Sequence, residues 1–201
     1  MRVFPKLQFL LATKNRGKVR EVRAVLEALG VESESLLERE DLPEVEETGT
    51  TFSENARLKA NYYNRLTGIP SLADDSGLVV DALDGAPGVF SARFASTDQD
   101  RIEKLLELMN TVQESSKRTA HFVCVICLVV GKRIIEVTGQ VDGEISLEPR
   151  GQSGFGYDPV FYYPPLCKTL AEMSLEEKNA ISHRGHALNK LYRVLKKEFE
   201  V

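Results

Sequence analysis

The sequence predicts an α/β fold, and three observations carry that reading. Short apolar runs of the kind buried strands show alternate with stretches whose apolar residues recur at helical spacing. Two helices open with capping boxes, Thr51 with Glu54 and Ser174 with Glu177, in which a hydroxyl and the carboxylate three residues on each take a backbone N–H. A length of 201 residues is enough to bury a full core, so a single domain over 1–201 is expected.

In chain order, Leu7 to Ala12 reads as the first strand. Arg16 to Leu29 reads as a helix with Val19, Val22, Val25, Leu26 and Leu29 on its apolar face, stopped by Gly30. The turn between them, Thr13, Lys14, Asn15, Arg16, Gly17 and Lys18, brings basic side chains to a helix N-terminus whose N–H groups already favour an anion. Phosphate is one guest, a solvated helix start is the other reading, and the usual P-loop pattern is absent. Glu32 to Glu47 is acidic, with Arg39 its only base, and reads as a solvated, loop-rich face. The Thr51 box starts a helix running to about Leu66, with Phe52, Ala56, Lys59, Tyr63 and Leu66 on one stripe. That stripe turns the Lys59 ammonium inward, toward a phosphate or, by snorkelling, back to water.

The densest chemistry lies in Ile69 to Ala95. Ser71 to Ala73 reads as a short strand that breaks at Asp74, Asp75, Ser76 and Gly77 before a second apolar run, Leu78 to Leu83. Side chains alternate along extended chain, so the two aspartates are expected to do different jobs. An Asx turn explains a lone Asp-Asp-Ser-Gly. The GAPG turn that follows and Arg93 beyond it suit a metal-phosphate site better.

Asp98 to Asn110 reads as an amphipathic scaffold helix. Thr119 to Val130 and Arg133 to Val137 form a β-hairpin across Gly131-Lys132, and Val141 to Leu147 adds another strand. In GQSGFGYDPVF, Gly151 to Phe161, no helix opens after the Gly-x-Gly, so a dinucleotide fingerprint is a poor match. Phe155 and Tyr157, set among glycines, offer either a stacking face for a base or plain packing. Lys178 lies on the helix that Ser174 starts. His183 and Arg184 open the last helix, whose stripe is Leu188, Leu191, Leu195 and Phe199, and suit an anion or a carbonyl-bearing ligand as well as solvent.

Composition sets the outer bounds. A formal net charge of -4 argues against general nucleic-acid coating, which needs a basic footprint. The longest apolar run, Phe122 to Val130, falls short of the roughly 20 residues that span a bilayer. Pro5 and Lys6 interrupt a faint signal-peptide pattern. Cys124 and Cys127 form a CxxC on a strand, where positions three apart face opposite sides and share no metal. With Cys167 they are expected to be free thiols in a cytoplasmic protein with no nucleic-acid and no membrane partner.

Five motifs stand in one order along the chain: TKNRGKVRE, EETGTTFSENARLKA, LADDSGLVVDALDGAPGVFSARFA, GFGYDPVF and EEKNAISHRG. In order and approximate spacing the chain resembles the inosine triphosphate pyrophosphatase family, bacterial type, over essentially its whole length. The resemblance implies an elongated, two-lobed α/β fold with a mixed central β-sheet flanked by helices, an active-site cleft between the lobes, and a homodimer. It implies hydrolysis of ITP, dITP and XTP to a nucleoside monophosphate and pyrophosphate with Mg²⁺. By position, Thr13, Lys14, Asn15, Arg16, Gly17 and Lys18 would hold the triphosphate. Glu47 and Asp75 would hold the metal, and Asp75 would accept the proton with Asp74 in support. Lys59 would face a phosphate and Ser76 would touch substrate. Phe155, Gly156, Tyr157, Asp158, Lys178, His183 and Arg184 would form the base pocket. Two alternatives stay open on the residues: a nucleotide-binding regulatory module without hydrolysis, and a metal-dependent phosphatase releasing orthophosphate.

Overall fold

Among the described residues the strands and α-helices follow in this order: β1 (Gln8–Leu11), α1 (Arg16–Ala28), β2 (Glu32–Ser35), α2 (Phe52–Thr67), β3 (Ser71–Val80), α3 (Asp98–Leu108), β4 (Thr119–Val130), β5 (Arg133–Ile145), β6 (Phe161–Tyr163), β7 (Lys168–Thr169), α4 (Leu175–Ile181) and α5 (His183–Phe199). The structure, a computed structural model, describes residues 8–28 and 30–199. Leu7 and Leu29, at the ends of two expected elements, lie outside them, as do Pro5, Lys6 and the side chain of Phe199.

The strands form one seven-stranded sheet in the order β2-β1-β3-β4-β5-β6-β7. It is mixed, as expected: β1 is parallel to β2 and β3, while β6 is antiparallel to β5 and β7. The chain divides into two compact units. One comprises Met1–Asp75, Val125–Gly139 and Ala187–Val201, and the other Ser76–Cys124 and Gln140–His186.

In the first unit, Phe9, Leu10 and Leu11 of β1 are buried, as are Val22 and Leu26 of α1 and Ala56, Ala60 and Tyr63 of α2. Leu188, Leu191 and Leu195 of α5 are buried too, bearing out the apolar stripe read from the sequence. In the second unit one cluster gathers Leu78 and Val80 of β3, Leu105 of α3, Phe122 of β4 and Phe161 of β6, together with Tyr157. Arg118, 3 % exposed, clasps its edge. The guanidinium donates to the carbonyls of Met109, Val112, Ile145 and Ser146, so backbone dipoles rather than a carboxylate hold the charge. Burial lowers its pKa.

The two capping boxes are present. Two more, Thr97 with Asp100 and Thr169 with Glu172, were not read from the sequence. Cys124 and Cys127 are buried, Cys167 is exposed, and none of the three is in a disulfide.

Four expectations need correction. Asp74 to Gly77 is no break: β3 runs unbroken from Ser71 to Val80. It is an inner strand, paired with β1 at Ser71 and Leu72 and with β4 as its other neighbour, and ladder pairing can carry extended chain through residues that would end an isolated strand. Glu32 to Ser35 is not loop but β2, a sheet edge whose register β1 sets. Its ESES sequence shows no apolar alternation because an edge strand needs little of it. The hairpin arm and the next expected strand are one element, β5, which runs through Gly139 and Gln140 and pairs with β6 at Glu144 and Ile145. Leu66, expected on the inner stripe of α2, is 49 % exposed in the helix's last turn, and the buried stripe ends at Tyr63.

Candidate active site

The first unit carries a cluster of opposite charges built from three segments. The Thr13 to Lys18 turn joins β1 to α1, and Asn15 caps that helix, its Oδ1 accepting the Lys18 N–H at 3.1 Å. One turn of helix then sends the Lys18 ammonium to Asp74 Oδ2, 3.1 Å away. Lys14 points elsewhere, to Glu44 at 2.9 Å on the surface. On α2, Lys59 is nearly buried, and its ammonium donates to Glu47 Oε1 at 2.6 Å and to the Asp74 carbonyl at 2.8 Å. Asp75 Oδ1 lies 3.5 Å from the same nitrogen.

Alternation along β3 gives the two aspartates different partners, as expected: Lys18 for Asp74, Lys59 and Asn55 for Asp75. Burial raises the pKa of the Asp75 carboxyl, and Lys59 and Lys18 oppose that rise without cancelling it. For Lys59, burial alone would lower the pKa, but Asp75, Asp74 and Glu47 outweigh it and hold the value above the ordinary lysine range. The cluster is therefore a charged lysine facing a carboxyl group that is reluctant to ionise.

The second unit carries an aromatic face bordered by cations. The Lys178 ammonium lies 4.8 Å and the Arg184 guanidinium 5.8 Å from the centre of the Phe155 ring. Lys178 also pairs with Asp158 Oδ2 at 2.6 Å, both side chains 4 % exposed. The same carboxylate oxygen accepts the Phe155 N–H at 2.8 Å. The loop closes tightly here: Gly154 has φ +79°, and a Cβ on it would lie 2.1 Å from that oxygen. Arg184 donates to Ser76 Oγ at 2.9 Å. His183 and Arg184, for which solvent was one reading, are both buried, and the His183 ring stacks on Phe122 at 4.7 Å. Tyr157 is turned into the core, its hydroxyl donating to the Ser91 carbonyl at 3.0 Å, while the Gly156 N–H bonds Asp98.

The turn from α4 to α5 sets these side chains. Ser182 caps α5 by accepting the Gly185 N–H at 3.1 Å. Gly185 packs so closely that a Cβ would lie 1.8 Å from the Asn179 carbonyl oxygen.

These residues and their order match a known family model. The model for the Ham1 family covers residues 9–194. The chain belongs to the Ham1 family. It is 51% identical over 188 residues to a protein of Geobacillus kaustophilus named dITP/XTP pyrophosphatase, covering 92% of each chain. A Coxiella burnetii protein of the same name is 46% identical over 201 residues, covering 97% of this chain and all of that one. A solved HAM1 protein from Coxiella burnetii superimposes with a TM-score of 0.85 at 45% identity, over 95% of this chain and 99% of that chain.

Within this Ham1 chain, among the described residues no group of three or more His, Cys, Asp and Glu side chains is arranged to hold a metal ion. Magnesium does not need such a cage, since it binds through one or two carboxylates completed by substrate phosphates and water. Glu47 and Asp75, converging on one ammonium, fit that demand. Sequence reading missed Asn55, which is fully buried and bonded to Asp75. A signal was there: Asn55 lies four residues before Lys59, on the same helical face.

Proposed function

We propose that this Ham1 chain hydrolyses non-standard purine nucleoside triphosphates, dITP, ITP and XTP, to a nucleoside monophosphate and pyrophosphate. Such an activity keeps deaminated purines out of DNA and RNA. The names of its relatives support the reading, and the observation that carries it is the convergence of Asp75, Asp74 and Glu47 with Lys18 and Lys59.

In this reading the Thr13 to Lys18 turn, with Lys59, binds the triphosphate. Glu47 and Asp75 would hold Mg²⁺, which when bound would supply positive charge to offset that of the triphosphate. Asp75 accepts the proton of the water that attacks the α-phosphorus, and the bond from that phosphorus to the bridging oxygen of pyrophosphate breaks. A carboxyl group raised by burial is a better base near neutral pH than an ordinary aspartate. Lys18 and Lys59 stabilise the charge that develops on the leaving group.

The base is assigned to the second unit. A purine stacks on Phe155, with Lys178 and Arg184 at its border, and donors from His183, Arg184 or nearby backbone meet the 6-keto oxygen. Adenine presents an amino group there, and a site left with unpaired donors discriminates strongly. Ser76, the assigned substrate contact that follows Asp75 in β3, bonds Arg184 of the assigned base pocket. We read the two compact units as the lobes of one catalytic domain, working as a cytoplasmic homodimer. Free thiols suit a reducing compartment.

The test is to incubate the protein with dITP, ITP, XTP, GTP and ATP in Mg²⁺ and to score pyrophosphate against orthophosphate. Pyrophosphate from the first three substrates is expected. Orthophosphate as the product, or binding without turnover, would overturn the proposal.

A further inference from the structure

Asn55 is an anomaly on α2. Asparagine is a poor helix former, and an amide shut away from water is costly unless both of its ends are bonded. Asn55 is nevertheless fully buried in the second turn of the helix. Its Oδ1 accepts the Gly49 N–H at 2.8 Å, and its Nδ2 donates to Asp75 Oδ2 at 3.2 Å. Flipping the amide would set oxygen against carboxylate and NH₂ against N–H, so the two partners together fix its orientation.

The two partners matter because of where they lie. Gly49 is two residues from Glu47, and its own position leaves no room: a Cβ there would lie 2.6 Å from Asn55 Oδ1 and 2.7 Å from Glu54 Cβ. Asp75 is held at its other oxygen, with Oδ1 toward Lys59. One amide on a capped helix therefore grips the segment carrying one carboxylate and the side chain of the other. We infer that Asn55 is a positioning residue that sets Glu47 and Asp75 relative to each other, and that Gly49 is the close approach that lets it do so. The inference rests on the site reading above and deepens it.

The mechanism predicts a split between rate and binding. A group misplaced by about 1 Å can cost on the order of 100-fold in rate. Asn55→Leu keeps a branched, buried side chain and favours the helix more than asparagine does, but makes neither bond. Gly49→Ala leaves the amide chemically intact but presses a Cβ against Asn55 Oδ1 and Glu54 Cβ, forcing the Glu47 segment and the helix apart. Each variant is checked for folding by circular dichroism and thermal melting. Turnover of dITP is then measured at saturating Mg²⁺, and binding of Mn²⁺ alone is followed by electron paramagnetic resonance.

For Asn55→Leu we expect kcat to fall about 100-fold, with KM for dITP changed less than about threefold, and Mn²⁺ binding weakened. A merely structural residue would lower the melting temperature without weakening Mn²⁺ binding in the folded fraction. For Gly49→Ala we expect weakened Mn²⁺ binding and a smaller loss of kcat once metal is saturating. A folded Asn55→Leu protein with wild-type kcat and Mn²⁺ binding would overturn the inference. Should that variant fail to fold, wild-type Mn²⁺ binding by Gly49→Ala overturns it instead. Asp75→Asn, run in parallel, separates the two levels. If it keeps full turnover the site reading itself fails, and if it is inactive while Asn55→Leu is normal, only the role of Asn55 does.

Discussion

The two units handle charge in different ways. In the first, one ammonium is shared: Lys59 serves Glu47 and the Asp74 carbonyl and lies within ion-pair distance of Asp75. In the second, Lys178 and Asp158 meet at 2.6 Å with both side chains almost fully buried, and what faces outward is the half-buried ring of Phe155. A shared lysine can exchange a carboxylate for a phosphate without leaving either bare. A deeply buried pair cannot be opened cheaply, because either partner left alone is an uncompensated charge. On the function proposed above, the shared lysine belongs to the chemistry and the buried pair to recognition of the base.

The sharpest way to break this contrast is at Asp75. Asp75→Asn should cut kcat by about 10²–10⁴-fold, the usual range for a general base, and leave the melting temperature close to wild type. Lys178→Met should lower stability most, with a raised KM for nucleotide beside it. It removes the ammonium paired with the buried Asp158 and should cost about 3–5 kcal/mol of stability, read as a lowered denaturant midpoint. Phe155→Ala tests recognition alone: loss of about 1–3 kcal/mol of stacking should appear in KM for dITP, with kcat little changed. Two cap variants probe the supporting helices. Thr51→Ala and Ser174→Ala should each cost about 1 kcal/mol. The first should raise the metal concentration needed for half-maximal rate, and the second should raise KM for nucleotide.

The smallest effect concerns pH. Backbone N–H donors at Thr50 and Ser174 hold Glu54 and Glu177 below the ordinary glutamate value. Their contribution is present in full above the unfolded-state value and is lost as pH falls through the folded one. Melting temperature should therefore stay level near neutrality and decline only on the acid side of that value. A decline already near neutral pH would point to other groups.

Much of this was legible in the residues, for reasons that differ by element. α2 and α4 could be read because a capping box is local: two side chains and two backbone groups within four residues suffice. Lys59 could be placed inward by helical spacing, and the different side-chain partners of Asp74 and Asp75 follow from strand alternation. What failed was set from outside the segment. The continuity of β3 through Asp74 to Gly77 and the strand at Glu32 to Ser35 both come from neighbouring strands, which a segment's own composition does not reveal. Glu47 ended a stretch that reads as an acidic, solvated face and entered the site only through the family resemblance, and the amide that fixes its segment went unread, because Asn55 looks like an ordinary polar helix residue until its neighbours are known.

Arg118 has a consequence for behaviour in salt. Surface contacts such as Lys14 with Glu44 are attractions between full charges facing water, and rising ionic strength erodes them. The Arg118 clasp joins a buried guanidinium to four carbonyl oxygens and has no opposing ion in it for electrolyte to screen. The corner where α3 ends and β5 finishes should thus stay fastened at salt concentrations that loosen the protein's outer ion pairs.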